Sequence, residues 1–337
     1  MKNSFFLSAV LCGLLILATS CVKRGKNLEP EPDKEFQSAV DVSYAGIVIT
    51  DIDMICSFIG QSDFAPKFYS PVPCQSATIT ASRSGDYIFI AFNNTKCLDG
   101  RVRDGSIAMY TGFINPNAKY YYDYEFQGKV SLINYKVDGW AVEQRNSFII
   151  TNKLPSPAFN PTQTNLSWSL NGDFVLKHPT DSNKNIHCNA NLVKTLNNTG
   201  DIKIYNPKIL TAISWSLASV KYTGTIFGET ARTVPFKYNI NESQPLVRDF
   251  TCFPDMISGN ATSAACNYNE EFHPFKDGRV TLTTNNLYPR DLSYGNEQNT
   301  YHDVKNSPLV LTPQCDNKGI ITIKGISYPI DFAKDYE

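Results

Sequence analysis

The sequence predicts a mainly β fold: an extensive antiparallel sheet, either a sandwich or a curled sheet, with one N-terminal amphipathic helix. Three observations predict it. Short apolar alternations of β-branched and aromatic residues recur along most of the chain, which carries 18 Tyr and 20 Phe in 337 residues; such side chains suit a pleated, half-buried surface. Turn residues, Gly above all with Asp, Asn or Lys beside it, punctuate these runs where hairpins would reverse. A single stretch, 37–60, repeats its apolar residues at helical spacing.

In that stretch Tyr44, Val48, Ile52, Ile55 and Ile59 fall on one helical face and Gly60 stands as a stop. Val40, Val42, Ile47, Val48, Ile49 and Thr50 pull the other way, because branching at Cβ restricts χ1 in a helix. From about Ser76 the pattern turns to strands. Ser84-Gly85-Asp86 breaks ATITASRSGDYIFIAF into a hairpin, and Val137-Asp138-Gly139-Trp140 links KVSLINYKV to WAVEQRNSFIIT. Asn171-Gly172 is expected to turn NLSWSL into DFVLKH, and Lys324-Gly325 to turn IITI into ISYPIDF. The β region, 61–337, then reads as one antiparallel meander or as two continuous lobes, about 61–180 and 181–337. Two short echoes, LSWSL at 166–170 with ISWSL at 213–217 and DGRV at 99–102 with 277–280, are the only hints of duplication.

The leading segment predicts export. Lys2 precedes the apolar run Phe5–Leu17, then come Ala18-Thr19-Ser20 and Cys21. The run is shorter than the roughly 20 residues a membrane-spanning helix needs. It resembles a bacterial lipoprotein signal, with residues 1–20 removed and Cys21 lipidated, by palmitate among other chains; ordinary secretory cleavage, or Cys21 as half of a disulfide, are the alternatives. Residues 21–36 are charged and proline-spaced, too polar to offset the entropy of ordering, and read as a tether.

A net charge of −1, from 31 Lys and Arg against 32 Asp and Glu, provides no field for nucleic acid. Beyond Cys12 and Cys21, seven cysteines remain: Cys56, Cys74, Cys97, Cys188, Cys252, Cys266 and Cys315. An odd number cannot all pair. Cys252 and Cys266, flanking a loop of small residues, are the most local pair, Cys56 and Cys74 the next; sequence alone leaves the connectivity open.

Candidate sites are sparse. Asp86, Asp99 and Asp104 lie near one expected strand end and have the oxygen chemistry of a calcium site; capping turns, with Arg101 and Arg103 neutralising them, is the competing reading. In a strand over 119–126, Tyr120, Tyr122, Tyr124 and Phe126 share a face, which suits stacking on a sugar ring or a partner protein, or plain cross-strand packing. His178, His187, His273 and His302 show no metal spacing, no GxSxG elbow is present, and no cofactor motif appears.

FIAFNNTKCLDGRVRDGSIAMYTG at 89–112, YTGTIFGETARTVPFKYNINESQPLVRDFTC at 222–252 and QCDNKGIITIKGISYPIDF at 314–332 together carry a resemblance. In this order they are similar to a family of uncharacterised lipoproteins from the Bacteroidota, with a Cys-x-Asp-Gly-Arg turn and a closing Cys-Asp-Asn strand hairpin. The chain differs from that pattern at Val102, where a polar residue is usual, and at Asn93-Asn94-Thr95-Lys96, which replaces an acidic glycine turn. The resemblance implies an exported β-rich protein held at the bacterial outer membrane by its N-terminal lipid, facing the periplasm or the surface, and assigns no activity. The functional expectation is a noncatalytic binding or structural surface protein with a glycan or protein partner. An envelope hydrolase acting on glycans and a carrier of an apolar ligand are the alternatives.

Overall fold

In a computed structural model of the chain, the structure describes residues 35–61, 80–97, 99–121, 123–153, 165–198, 218–249, 252, 274–285, 287–295, 302–303 and 315–332. The signal, Cys21, most of the tether, Cys74, Tyr122, the echo at 213–217, Cys266 and His273 lie outside the described residues.

Helix α1 (Gln37–Gln61) forms where the spacing places it. Around it run β1 (Thr80–Ser84), β2 (Tyr87–Lys96), β3 (Val102–Tyr110), β4 (Gln127–Val137), β5 (Trp140–Asn152), β6 (Asn165–Lys177), β7 (Ile186–Asn198) and β8 (Ala218–Glu229). They are followed by β9 (Pro235–Ile240), β10 (Leu246–Asp249), β11 (Arg279–Thr284), β12 (Arg290–Tyr294), β13 (His302–Asp303), β14 (Lys318–Ile323) and β15 (Ile326–Asp331). All pair antiparallel in a single sheet, consecutively from β1 to β9, then through β11, β12, β14 and β15 to β13. Strand β8 is long enough for two partners: β9 takes Gly224–Glu229 and β10 takes Ser219–Tyr222. Gly224 sits at that change of partner with φ of +112°, and a Cβ there would lie 2.4 Å from the Asn191 carbonyl oxygen.

The sheet is curled, and the helix fills the curl. Side chains or carbonyls from β3, β4, β7, β8 and β12 bond the helix directly, and Tyr238 of β9 lies against Gly46. Strands this far apart in the order reach one rod only by wrapping it. Every helical residue from Ser38 to Gly60 is buried. The expected amphipathic helix therefore turns no polar face to water; its Ser43, Thr50, Asp51 and Asp53 meet polar groups of the sheet, its own backbone, or both. By length and composition it would suffice to cross a membrane, yet it is enclosed by protein. Glu35 fixes its N-terminal end: Oε1 accepts from Ser38 N–H at 3.0 Å, as a capping side chain does. The Glu35 carbonyl accepts from Arg290 Nε and Nη2 at 3.2 and 2.9 Å.

Three expected turns are present. Ser84 pairs Tyr87, Val137 pairs Trp140, and Ile323 pairs Ile326, with Gly85, Asp138, Gly139, Lys324 and Gly325 all at positive φ. The fourth is corrected: Asn171-Gly172 lies inside β6, which runs unbroken and pairs Asn171 with Asn191. Glycine serves packing there, since a Cβ would sit 2.8 Å from the rings of both Phe148 and Phe174. Strands β6 and β7 pair from Asn165↔Asn197 to Leu176↔Ile186, so the sheet is continuous through residue 180.

The disulfide is also a correction. Cys252 bonds Cys315, 63 residues on, not Cys266, and Cys56, expected next as a partner of Cys74, is a free buried thiol like Cys97 and Cys188. Nearness in sequence gave the wrong partner because the curled sheet brings the chain after β10 beside the chain before β14, with the two Cα atoms 5.3 Å apart.

Candidate functional site

Two clusters of buried charge lie on two sides of the helix. Asp51 and Asp53 lie two positions apart, so at 3.6 residues per turn their side chains leave the helix on different sides.

Asp51 faces arginines. Arg103 of β3 donates from Nη2 to both its oxygens at 2.9 Å and grips Asp99 with a fork, Nη1 to Oδ1 at 2.8 Å and Nη2 to Oδ2 at 2.5 Å. Arg101 Nη1 and Arg248 Nη1 stand 3.7 and 3.8 Å from Asp51. Arg101 Nε also donates to Asp138 at 2.7 Å, in the β4–β5 turn. The DGR turn sets this up: Asp99 Oδ1 accepts from Arg101 N–H at 3.2 Å, the residue ahead of β3, and alternation then carries Arg103 inward. Burial pushes the Asp51 carboxyl up, but Arg103, Arg101 and Arg248 together hold it below its ordinary value.

Asp53 faces β7 and β8. Its Oδ2 lies 3.0 Å from Lys194 Nζ and accepts from the Tyr222 hydroxyl at 2.9 Å; its Oδ1 accepts from the Tyr121 hydroxyl at 2.7 Å. Lys194 also donates to the Tyr121 hydroxyl at 3.2 Å and lies over the Tyr121 and Trp168 rings. Burial lowers the Lys194 ammonium, and Asp53 only partly restores it. Across both sides, the buried Asp51, Asp53 and Asp99 and the exposed Asp138 balance the buried Arg101, Arg103, Arg248 and Lys194, as buried charges must be balanced to persist.

The free thiols are poor nucleophiles. Burial drives Cys56 and Cys188 well up, and Cys97 up to about 12, so the thiolate is scarce at neutral pH.

The sequence candidates are dispersed. Asp99 belongs to the Arg103 fork, Asp86 faces Lys119 at 3.6 Å, and Asp104 faces Lys136 at 3.9 Å and accepts from Asn94 N–H at 3.2 Å. Each has its own cation, and among the described residues no three acidic, His or Cys groups converge on a metal position. The tyrosine ladder is corrected: the described residues 119–121 and 123–126 form turns and loop, not a strand, with Glu125 at φ of +61°. Tyr120 is half-buried with the Arg83 guanidinium 4.6 Å above its ring, and Tyr124 is half-buried. Phe126 is fully enclosed, and so is Tyr121, outside the expected ladder face; the Tyr121 N–H donates to the Gly60 carbonyl and its own carbonyl accepts from the Trp168 indole, both at 2.9 Å.

An aromatic strip does occur, elsewhere. Tyr87 of β2 and Tyr110 of β3 are register partners with ring centroids 5.8 Å apart. Phe113 follows at 6.0 Å from Tyr110, and Ile114 beside it is 66% exposed.

Sequence reasoning missed Asp51, Asp53, Tyr121, Lys194 and Arg248. One signal was present: the helix carries Asp41, Asp51 and Asp53 and no Lys or Arg, so its acids had to find cations on other elements. Among known proteins, no family model, no curated protein and no solved structure matches this chain.

Proposed function

We propose that the protein is a cell-envelope lipoprotein, anchored through Cys21 and standing off the membrane on residues 21–36, that acts by noncatalytic binding. The exposed strip of Tyr87, Tyr110 and Phe113 carries the binding part of this reading. Aromatic side chains offer large rigid contact area at small entropic cost and are enriched where proteins bind partners. Tyr87 and Tyr110 are held in register by the ladder, so the strip is pre-formed. Two features favour this over the alternatives. The interior charges are engaged with one another on the helix, away from solvent substrate, and the helix occupies the space in which a curled sheet would carry an apolar ligand. The partner is a glycan or a protein, and the anchor places the protein at the outer membrane, in keeping with the lipoproteins of the Bacteroidota that the sequence resembles.

Two measurements test it. Cys21→Ser should abolish labelling by fatty acid and release the protein from the membrane fraction; unchanged labelling removes the anchor. The double variant Tyr87→Ala, Tyr110→Ala should lose retention on immobilised envelope polysaccharide and capture of envelope proteins by cross-linking, with the circular dichroism spectrum unchanged. Retention equal to that of the parent removes the strip as the binding surface.

A further inference from the structure

The Lys194–Asp53 pair is arranged for more than charge compensation. We infer that it is the site of an intramolecular isopeptide bond, made by the protein on itself between Lys194 Nζ and Asp53 Cγ. The inference is independent of anchoring and of the aromatic strip.

The reacting atoms are close and fixed. Nζ lies 3.0 Å from Oδ2, an oxygen bonded to the carbon to be attacked, with the two side chains 1% and 0% exposed. Asp53 rides on the enclosed helix. Lys194 sits in the middle of a row across three strands, paired with Trp168 of β6 on one side and Tyr222 of β8 on the other. Orientation of this kind is worth effective molarities of about 10⁵ M or more.

Amide formation needs a neutral amine and a protonated carboxyl, not the ion pair. Burial weakens the hold of Lys194 on its proton, and the nearby charge of Arg248 adds to that. The site is walled by the rings of Tyr121 and Trp168, 4.8 and 5.4 Å from Nζ. A water-poor site favours loss of water and the neutral pair alike.

Tyr121 completes the arrangement as a proton relay. Its hydroxyl accepts from Lys194 Nζ at 3.2 Å and donates to Asp53 Oδ1 at 2.7 Å, linking the atom that must lose a proton to one that must gain it. Its backbone is held on both sides, N–H to Gly60 and carbonyl to Trp168. Tyr222 donates to Oδ2 at 2.9 Å and so fixes the oxygen that takes the proton of the ammonium.

The step balances. The ammonium passes one proton to Oδ2, leaving a neutral amine and a carboxylic acid. Nζ attacks Cγ; the Tyr121 hydroxyl takes one proton from nitrogen as it gives its own to Oδ1. The tetrahedral intermediate then carries two hydroxyls. One leaves as water with the proton of the other, which becomes the amide carbonyl, and Tyr121 is restored. Nothing is oxidised or reduced and no co-reactant enters.

The test is peptide mass spectrometry on the full chain, purified, unfolded and digested with trypsin. The expected result is a branched peptide joining the Asp53 and Lys194 segments, lighter by one water than the sum of its arms, with no cleavage after Lys194. Linear peptides of unshifted mass and normal cleavage after Lys194 overturn the inference and leave a buried ion pair. Lys194→Arg keeps the charge but places a protonated guanidinium at the nucleophile position; it should give no branch, and a branch at Asp53 in that variant overturns the assignment. Tyr121→Phe keeps the ring and removes the relay, so the branch should form at least about tenfold more slowly, general acid–base assistance being worth 10²–10⁴. Undiminished branching in that variant overturns the role of Tyr121.

Discussion

Asp51 and Asp53 are the same side chain, two residues apart on one enclosed helix, and the sheet answers them differently. Asp51 is met by three guanidiniums and Asp53 by one ammonium and two phenols. Guanidinium stays protonated in any protein interior, so the Asp51 side is a permanent ionic lock. An ammonium can surrender its proton when buried. The chemistry of a buried ion pair is thus set by its cation: one side of the helix can only hold, and the other can hold or react.

The strongest way to break this comparison is to remove the cation of the locked side. Arg103→Ala leaves Asp51 and Asp99 without their forked partner and should cost about 3–5 kcal/mol, a large part of a typical total of about 5–15 kcal/mol. Urea unfolding reads it, and an unchanged midpoint would mean that the lock does not hold the helix. Acid attacks the same side more gradually. The Asp51 carboxyl is held below its ordinary value of 3.8, so its stabilisation is complete above that pH and is lost as pH falls through the folded-state value, because the unfolded chain takes up the proton first. Tryptophan fluorescence against pH should show that Asp51→Asn flattens this acid limb; the parent slope in that variant would contradict the assignment. On the other side, Tyr222→Phe removes one hydrogen bond to Asp53 and should cost about 1–2 kcal/mol by the same urea measurement. Lys136→Ala, which breaks an exposed pair with Asp104 at 3.9 Å, should change the midpoint by no more than about 0.5 kcal/mol. A larger loss there would place stability on the surface and not around the helix.

Turns whose chemistry is local were legible. Asp138-Gly139 and Lys324-Gly325 need a left-handed backbone, and their own side chains or lack of them announce it. Asn171-Gly172 has the same lettering but a different cause, two phenyl rings brought in by the fold, and no local pattern distinguishes the two. The helix was legible by spacing, its enclosure only by the missing cations. Tyr120 and Tyr124 were misassigned because period-2 alternation presupposes a strand, whereas the described residues around them are turns and loop, and Tyr121 is tied inward to Gly60 and Trp168. Asp51 and Asp53 acquire meaning from Arg103, Lys194, Tyr222 and Arg248, which belong to strands distant in sequence. Spacing along a chain carries no record of such meetings.

The enclosure of the helix has a consequence in time. The chain makes the helix early, yet its Ser43 waits for Tyr294, 251 residues later, and Glu35 waits for Arg290, 255 residues later. Contacts so remote in sequence slow folding. Throughout that interval the nascent chain displays a segment that a lipid bilayer would accept by length and composition. The innermost part of the protein is finished last, and until the late strands arrive, folding runs in competition with every other apolar phase within reach.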